Sequence, residues 1–367
     1  MSDRPTVLMH LPGHPVGPAW VRAARLHADV EVVRFLRGSR PGVATSADGV
    51  HEITTPRLRP GRLLWRAQAE IEARAILRLL DRLAADGVDV RLLHGHFVAG
   101  RRGMAIAARR RGLPFVITEH STWFTGENPD QAPVTADRLR RMQRTYRDAA
   151  AVLPVSASLR DAMQRAGITR PLEVCPNPVD TSSFVAGGAR HPHRLITVSR
   201  LAPVKRIELL VDAVATLRSR GLPVELEIVG DGASMEGLRR QVERLALDDV
   251  VTFTGRLDPS QVAERLAEAG LFVTCSKVEN HPVAVIEAMS SGLTIVGPAI
   301  PSLVEMVPQP ECGTLLDGEL TADRLADAIE SHLPGGENPV ARDVIVRRAS
   351  IEAVGDRLAS IYDSAAA

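Results

Sequence analysis

Short, continuous runs of Val, Ile and Leu alternate with helix-period stretches from one end of this chain to the other. Residues 6–10, 30–35, 90–94, 114–118, 151–155 and 172–175 read as strands in the first half, with helical patterns at about 61–85 and 99–111. Residues 195–199, 224–229, 250–254, 271–275 and 294–296 repeat the pattern, with helices at about 205–220, 234–246, 260–268 and 283–291. Strands that are apolar on both faces belong in parallel sheets covered by helices on each side. The spacing therefore predicts an α/β chain with two doubly wound, Rossmann-like sheets. A length of 367 residues suits two such domains rather than one.

The turn-rich stretch that begins at Pro176 places the expected hinge near residues 177–193. It sets an N-terminal domain at 1–184 and a C-terminal domain at 185–349, with a last helix over 350–367 able to pack back on the first domain. The charge divides along the same line. Residues 1–184 carry 27 arginines and 18 acidic residues, a charge of +9, whereas residues 185–367 carry 18 basic and 26 acidic residues, or −8. A basic half faces an anionic acceptor, a membrane surface or a nucleic acid, or is simply a solvated Arg-rich surface. The low aromatic content, 3%, argues against base stacking and so against nucleic acid. Arg66, Glu70, Arg74, Arg78 and Arg82 share one helical face, which could dock on anionic lipid or be a solvated surface. The three cysteines have no metal-ligand spacing and read as buried thiols. The N-terminus lacks a secretory layout and no apolar run spans a bilayer, so a cytoplasmic location is expected, with the inner face of the membrane within reach.

Four stretches place chemistry just after strands, where doubly wound sheets bind ligands. Ser276-Lys-Val-Glu279-Asn280-His281-Pro282-Val283 leads into a helix carrying Glu287. Amides at such a helix start hold phosphates, and the two carboxylates can accept hydrogen bonds from sugar hydroxyls. Val198-Ser-Arg200-Leu-Ala-Pro-Val-Lys205 puts two cations near the next helix start, where a diphosphate leaving group needs them. Only two lysines, Lys205 and Lys277, stand against 43 arginines, so a point charge at 205 is noteworthy. Thr118-Glu119-His120 and His94-Gly-His96 end strands in the first half. No Asp-x-Asp triplet, dinucleotide fingerprint, nucleophile elbow or Walker motif occurs.

These stretches, with Ile228-Val-Gly-Asp-Gly232, Phe253-Thr-Gly255-Arg256 and Cys175-Pro-Asn-Pro-Val-Asp180, resemble the retaining glycosyltransferases of family 4, with the GT-B fold of two Rossmann-like domains facing a central cleft. The resemblance implies hexose transfer from a nucleotide-diphosphate sugar, a UDP-sugar by preference, to a hydroxyl of a saccharide or lipid-linked acceptor in cell-surface polysaccharide or glycolipid synthesis. It implies that Arg200 and Lys205 stabilise the diphosphate and that Glu287 holds the ribose. Glu279 would hold the transferred sugar, and His120 would line the cleft. Gly13, Gly255, Arg256, Asn280, His281, Pro282 and Val283 complete the implied donor site, with no metal and no cofactor. Asn280-His281 departs from the family's usual Gly-Phe or Ser-Phe, and Pro178 from its usual Gly. The alternatives are a nucleotide-sugar epimerase on the same fold, a phosphorylase, or a non-catalytic nucleotide-sugar-binding subunit.

Overall fold

The computed structural model describes residues 4–11, 16–39, 41–56, 62–99, 101–125, 128–187 and 190–367. They form two compact units. The first comprises residues 1–124, 134–178 and 351–367; the second comprises residues 125–133 and 179–350.

In chain order the first unit holds β1 (Thr6–His10), α1 (Gly17–Arg25), β2 (Asp29–Arg37), β3 (Gly42–Thr45), β4 (His51–Thr55) and α2 (Arg62–Ala85). It continues through β5 (Val90–His96), α3 (Arg102–Arg111), β6 (Phe115–Glu119), α4 (Ala136–Arg147), β7 (Ala151–Pro154) and α5 (Ala157–Arg165). The sheet order is β3-β4-β2-β1-β5-β6-β7, parallel except for the β3–β4 pair. The continuous apolar runs form its buried centre: Val7, Leu8, Leu93, Val116 and Ile117 are wholly buried. The expected strand at 172–175 is absent. Flanked by Pro171 and Pro176, that segment makes a single bridge from Leu172 to Val152, then runs beside β7 through amides of Glu173 and Cys175.

The second unit holds β8 (His191–Val198), α6 (Ile207–Ser219), β9 (Glu225–Val229), α7 (Met235–Arg244), β10 (Val251–Gly255), α8 (Pro259–Glu268) and β11 (Ala269–Val273). Then follow α9 (Val283–Ser290), β12 (Ile295–Pro298), α10 (Pro301–Met306), β13 (Gly313–Leu316), α11 (Ala322–Glu330) and α12 (Pro339–Ala349). Its six strands are all parallel, in the order β10-β9-β8-β11-β12-β13. Two apolar layers flank this sheet, one including Ile196, Phe272 and Ile286, the other Leu195, Val211, Ile228 and Leu271. Both units are thus Rossmann-like α/β layers, as the alternation of runs predicts.

The chain returns to the first unit at its end. Val179 pairs with Ser350, its amide donating to the Ala349 carbonyl at 2.8 Å, so the two passages between units lie side by side. Helix α13 (Ile351–Ala366) then packs on α1. A Cβ on Gly355 would lie 2.8 Å from the Ala23 carbonyl oxygen and 2.7 Å from a Leu26 methyl, so only glycine lets the helices approach this closely. All three cysteines are buried and free. Among the described residues, no helix is long and apolar enough to cross a membrane.

Candidate active site

In an open parallel sheet the ligand crevice lies at the carboxyl ends of the two strands where the order reverses. In the second unit those strands are β8 and β11, because β8 pairs with β9 on one side and β11 on the other. The loops after them carry most of the residues the sequence singles out.

After β8 the chain makes a tight turn over Pro203–Lys205 and enters α6 through Arg206, which sits in the left-handed region at φ 50°. Two bonds fasten this loop to the one after β11. The Arg206 Nε donates to the Cys275 carbonyl at 2.8 Å, and the Lys277 amide donates to the Val204 carbonyl at 2.8 Å. The clasp brings Lys205 onto Glu279, and the ammonium and carboxylate form a largely buried ion pair. The sequence does not single out Arg206, whose part in this clasp goes with its left-handed φ at the helix entry.

The Val-Gly-Asp-Gly stretch closes the far side of this loop. Gly230 has φ 130°, and a Cβ there would lie 1.8 Å from the Ser199 carbonyl oxygen. Asp231 and Ser234 bracket Leu201 with backbone bonds of 2.9 and 3.0 Å. These glycines let the two loops touch backbone to backbone, which fixes where Arg200 and Lys205 emerge. Arg200 is exposed and donates to Asp130 at 3.0 Å rather than joining the Lys205–Glu279 pair. Asp130 belongs to the short insertion 125–133, and Thr125 of the same segment donates to the Asn280 Oδ1 at 2.7 Å. Neither Thr125 nor Asp130 carried a sequence signal.

Helix α9 starts at Pro282 with no side-chain cap on its first amides, so Val283 opens a helix terminus suited to an anion. One turn on, Glu287 is half-buried and makes no side-chain hydrogen bond among the described residues. Burial pushes its carboxyl up to about 8 from 4.5. Burial likewise draws His281 down to about 4, so its ring is neutral at physiological pH. Asn280 is buried. Gly255 ends β10 at φ 72°, its carbonyl accepting from the Gly230 amide at 2.8 Å, and Arg256 beside it is exposed.

In the first unit the order reverses around β1, between β2 and β5. Gly13, expected near the donor phosphate, lies outside the described residues. His10, His96 and His120 stand at or just past the ends of β1, β5 and β6. The loop bearing His120 is organised by Glu119, a wholly buried carboxylate. Its Oε1 accepts from the amides of His120 and Ser121 at 2.9 and 2.8 Å and from the Ser121 hydroxyl at 2.6 Å. Its Oε2 accepts from the Val98 amide at 3.1 Å and the Tyr146 hydroxyl at 2.6 Å. Five donors on one carboxylate make Glu119 the anchor of the loop. Next door, His94 bonds Tyr362 at 2.7 Å and Thr118 at 2.8 Å, and burial lowers its pKa to about 3. His94 and His96 therefore shape the loop as neutral rings. Among the described residues no group of three His, Cys, Asp or Glu side chains is placed to hold a metal ion.

The basic face of α2 is only partly free for other partners. Glu70 accepts from Arg110 at 2.8 and 2.9 Å and from Arg74 at 3.0 Å, and Arg82 donates to the Val43 carbonyl at 3.4 Å. Beside it, Trp65, Arg66, Arg102, Ile106 and Arg144 line a groove of about 440 Å³.

Residues 21–183 match the profile of the family described as Glycosyltransferase Family 4, and residues 181–344 match that of Glycosyl transferases group 1. The chain is 26% identical over 278 residues to WcaL of Salmonella typhimurium, a glycosyltransferase assigned to colanic acid biosynthesis; the match spans 70% of this chain and 67% of WcaL. It is 25% identical over 282 residues to the alpha-D-kanosaminyltransferase of Streptomyces kanamyceticus, spanning 70% of this chain and 72% of that protein. The match to WcaL of Escherichia coli spans 57% of that protein. Among solved structures, Anabaena HepE in complex with UDP-glucose superposes with a TM-score of 0.75 at 20% identity, covering 98% of this chain and 99% of HepE. Sucrose-phosphate synthase from Thermosynechococcus elongatus gives 0.76 at 19% identity, covering 98% of both chains. At those identities the likeness is one of fold.

Proposed function

We propose that this chain, a glycosyltransferase of the GT-B fold whose halves carry the Family 4 and group 1 domains, moves a hexose from a nucleotide-diphosphate sugar to an acceptor hydroxyl with retention of anomeric configuration. The observation that carries the donor assignment is Glu287: a half-buried carboxyl without a protein hydrogen bond among the described residues, one turn inside an uncapped helix start, at the sheet's reversal point. Such a group gains most from two vicinal hydroxyls, and the amides before it from phosphate oxygens.

In this reading α9's first amides, Arg200 and Lys205 meet the diphosphate, whose charge grows as the glycosidic bond breaks. Lys205 is shared: its ammonium already holds Glu279, so it orients that carboxylate for the sugar hydroxyls while facing the leaving group. His120, in the first unit, is the candidate for the acceptor side. The departing phosphate oxygen accepts the acceptor's proton on the same face, which accounts for retention without a protein nucleophile. The mechanism asks for no metal, because the leaving charge is met by the cations and the helix amides. A uridine donor is the favoured base, in keeping with the UDP complexes of HepE. The acceptor is a saccharide or lipid-linked hydroxyl, in polysaccharide or glycolipid synthesis at the inner membrane face. The Arg-rich first half is the part of the chain suited to that surface.

The test is a thermal-shift panel with UDP, GDP, ADP and their sugar conjugates, using Glu287→Ala as control. A rise in melting temperature with one base, lost in the variant, is the expected result. No shift at millimolar ligand in a folded sample would reject the donor site.

A further inference from the structure

Arg101 stands where β5 gives way to α3, at the reversal point of the first sheet. Its stem crosses β5 at Gly95, where a Cβ would come within 3.3 Å of the Arg101 Cγ. Its guanidinium lies over the Phe35 ring of β2, 4.8 Å from the centroid, and that ring is 5.6 Å from the ring of His10, the last residue of β1. In register His10 pairs with Val33, so His10 and Phe35 point to one face of the sheet. Met9 pairs with His94, so His94 and His96 point to the other.

On the first face, polar atoms are left over. The Nε and Nη1 of Arg101 and the Nδ1 of His10 are buried with no hydrogen-bond partner. Burial lowers Arg101 to about 10 from 12.5, so it stays charged at physiological pH. Burial, with the Arg101 charge beside it, draws His10 to about 2 from 6.5, so that ring is neutral. Glu72 is the carboxylate whose charge acts on Arg101, but it is already engaged, accepting from Arg37 at 2.8 Å and from Gln68 at 3.1 Å. Two arginines against one glutamate leave one positive charge uncompensated among the described residues. Such a charge is costly away from water unless a counter-ion meets it. Arg101 is also the residue from which α3 starts, and no side chain caps that start, so the helix adds its own preference for an anion at this end of the sheet. The residue as a whole keeps some exposure, so the place is not sealed.

We infer that the first unit holds an oxyanion site, in which the Arg101 fork grips a carboxylate or phosphate group, His10 offers a further N–H, and Phe35 walls the guanidinium. On the reading of the first unit as the acceptor side, on which this assignment rests, the group belongs to the acceptor. The acceptor is then an anionic molecule, and its charge is read apart from the hydroxyl that receives the sugar.

The test is isothermal titration of the full chain with two probes, at an ionic strength held constant with sodium chloride. Glucuronate stands for an acidic saccharide and glycerol 3-phosphate for a phosphorylated carrier, and the one that binds names the source. Arg101→Met keeps a stem of similar length against Phe35 and removes the charge. It should weaken binding by roughly 10–100-fold, the range for hydrogen bonds to a charged group. Arg200→Ala, in the donor loop, should bind the probe as the parent does. The inference is overturned if neither probe binds at millimolar concentration, if binding survives Arg101→Met, or if it is lost in Arg200→Ala. Where Arg101→Met does not fold, Arg101→Lys takes its place: it keeps the charge without the fork, and an affinity equal to the parent's overturns the inference. The UDP panel judges the transferase reading separately. A UDP shift without probe binding rejects the oxyanion site alone, whereas probe binding through Arg101 without any nucleotide shift keeps the site and rejects the transferase reading.

Discussion

Lys205 and Glu279, 74 positions apart, form one ion pair between the loops that follow β8 and β11. Each was expected to face the donor on its own account, the lysine to the diphosphate and the glutamate to the sugar. The pairing makes their effects interdependent. Lys205→Ala should cost on the order of 100–1000-fold in turnover, as loss of a charge-stabilising donor does. It should also cost roughly 2 kcal/mol of stability by stranding Glu279, less than for a fully buried pair because both groups keep some exposure. The double variant Lys205→Ala with Glu279→Ala should regain stability without regaining turnover. Denaturant melts and donor hydrolysis on the single and double variants separate the two effects.

Gly230→Ala should destabilise the second unit by about 3 kcal/mol or more, because the new methyl would meet a backbone carbonyl in a positive-φ conformation. The contact is 1.8 Å from the Ser199 oxygen, which no side-chain adjustment relieves. A urea titration checks it; parent-like stability would mean the loop after β8 yields.

Glu287 gives the molecule a pH dependence with a definite sign. Its pKa rises from 4.5 in the open chain to about 8 in the folded protein. Below 4.5 both states hold the proton, so nothing is lost. Between 4.5 and 8 unfolding releases it, so this group's contribution to stability falls as pH rises. Glu287→Gln should flatten that part of the profile and melt higher than the parent at pH 8. A steeper decline in the variant would refute the assignment.

Tyr362→Phe removes the partner of the His94 Nδ1 in a wholly buried site. The cost should be about 1–3 kcal/mol, the range for stranding a buried polar atom. Because the hydroxyl lies on α13, the loss should appear as earlier exchange of that helix's amides, measured by hydrogen exchange.

The sheets were legible because parallel strands buried on both faces must be continuously apolar. The hairpin of β3 and β4 was not, since both strands are short, β3 is largely exposed, only β4 alternates in burial, and the pair forms a sheet edge. Strand β13, Gly-Thr-Leu-Leu, is too brief to stand out from a loop. Helix α4 hid among arginines, for only Met142, Thr145 and Tyr146 of its twelve residues are buried. At the site, sequence order places residues after strands but is silent on pairing. It could not say that Arg200 meets Asp130, that Arg206 reaches Cys275, or that Glu119 gathers five donors. The first two join groups 70 and 69 positions apart, and two of the Glu119 donors, Val98 and Tyr146, lie 21 and 27 positions away, so local periodicity carries no record of them.

The side-by-side passages at Val179 and Ser350 have a consequence for biosynthesis. A chain emerging from the ribosome completes residues 179–350 before the segment that packs on α1 has been made. The second unit can therefore close first, while the first waits with the flank of α1 and the ring of His94 uncovered. The first unit thus begins to form before the second and is finished after it, when α13 reaches α1.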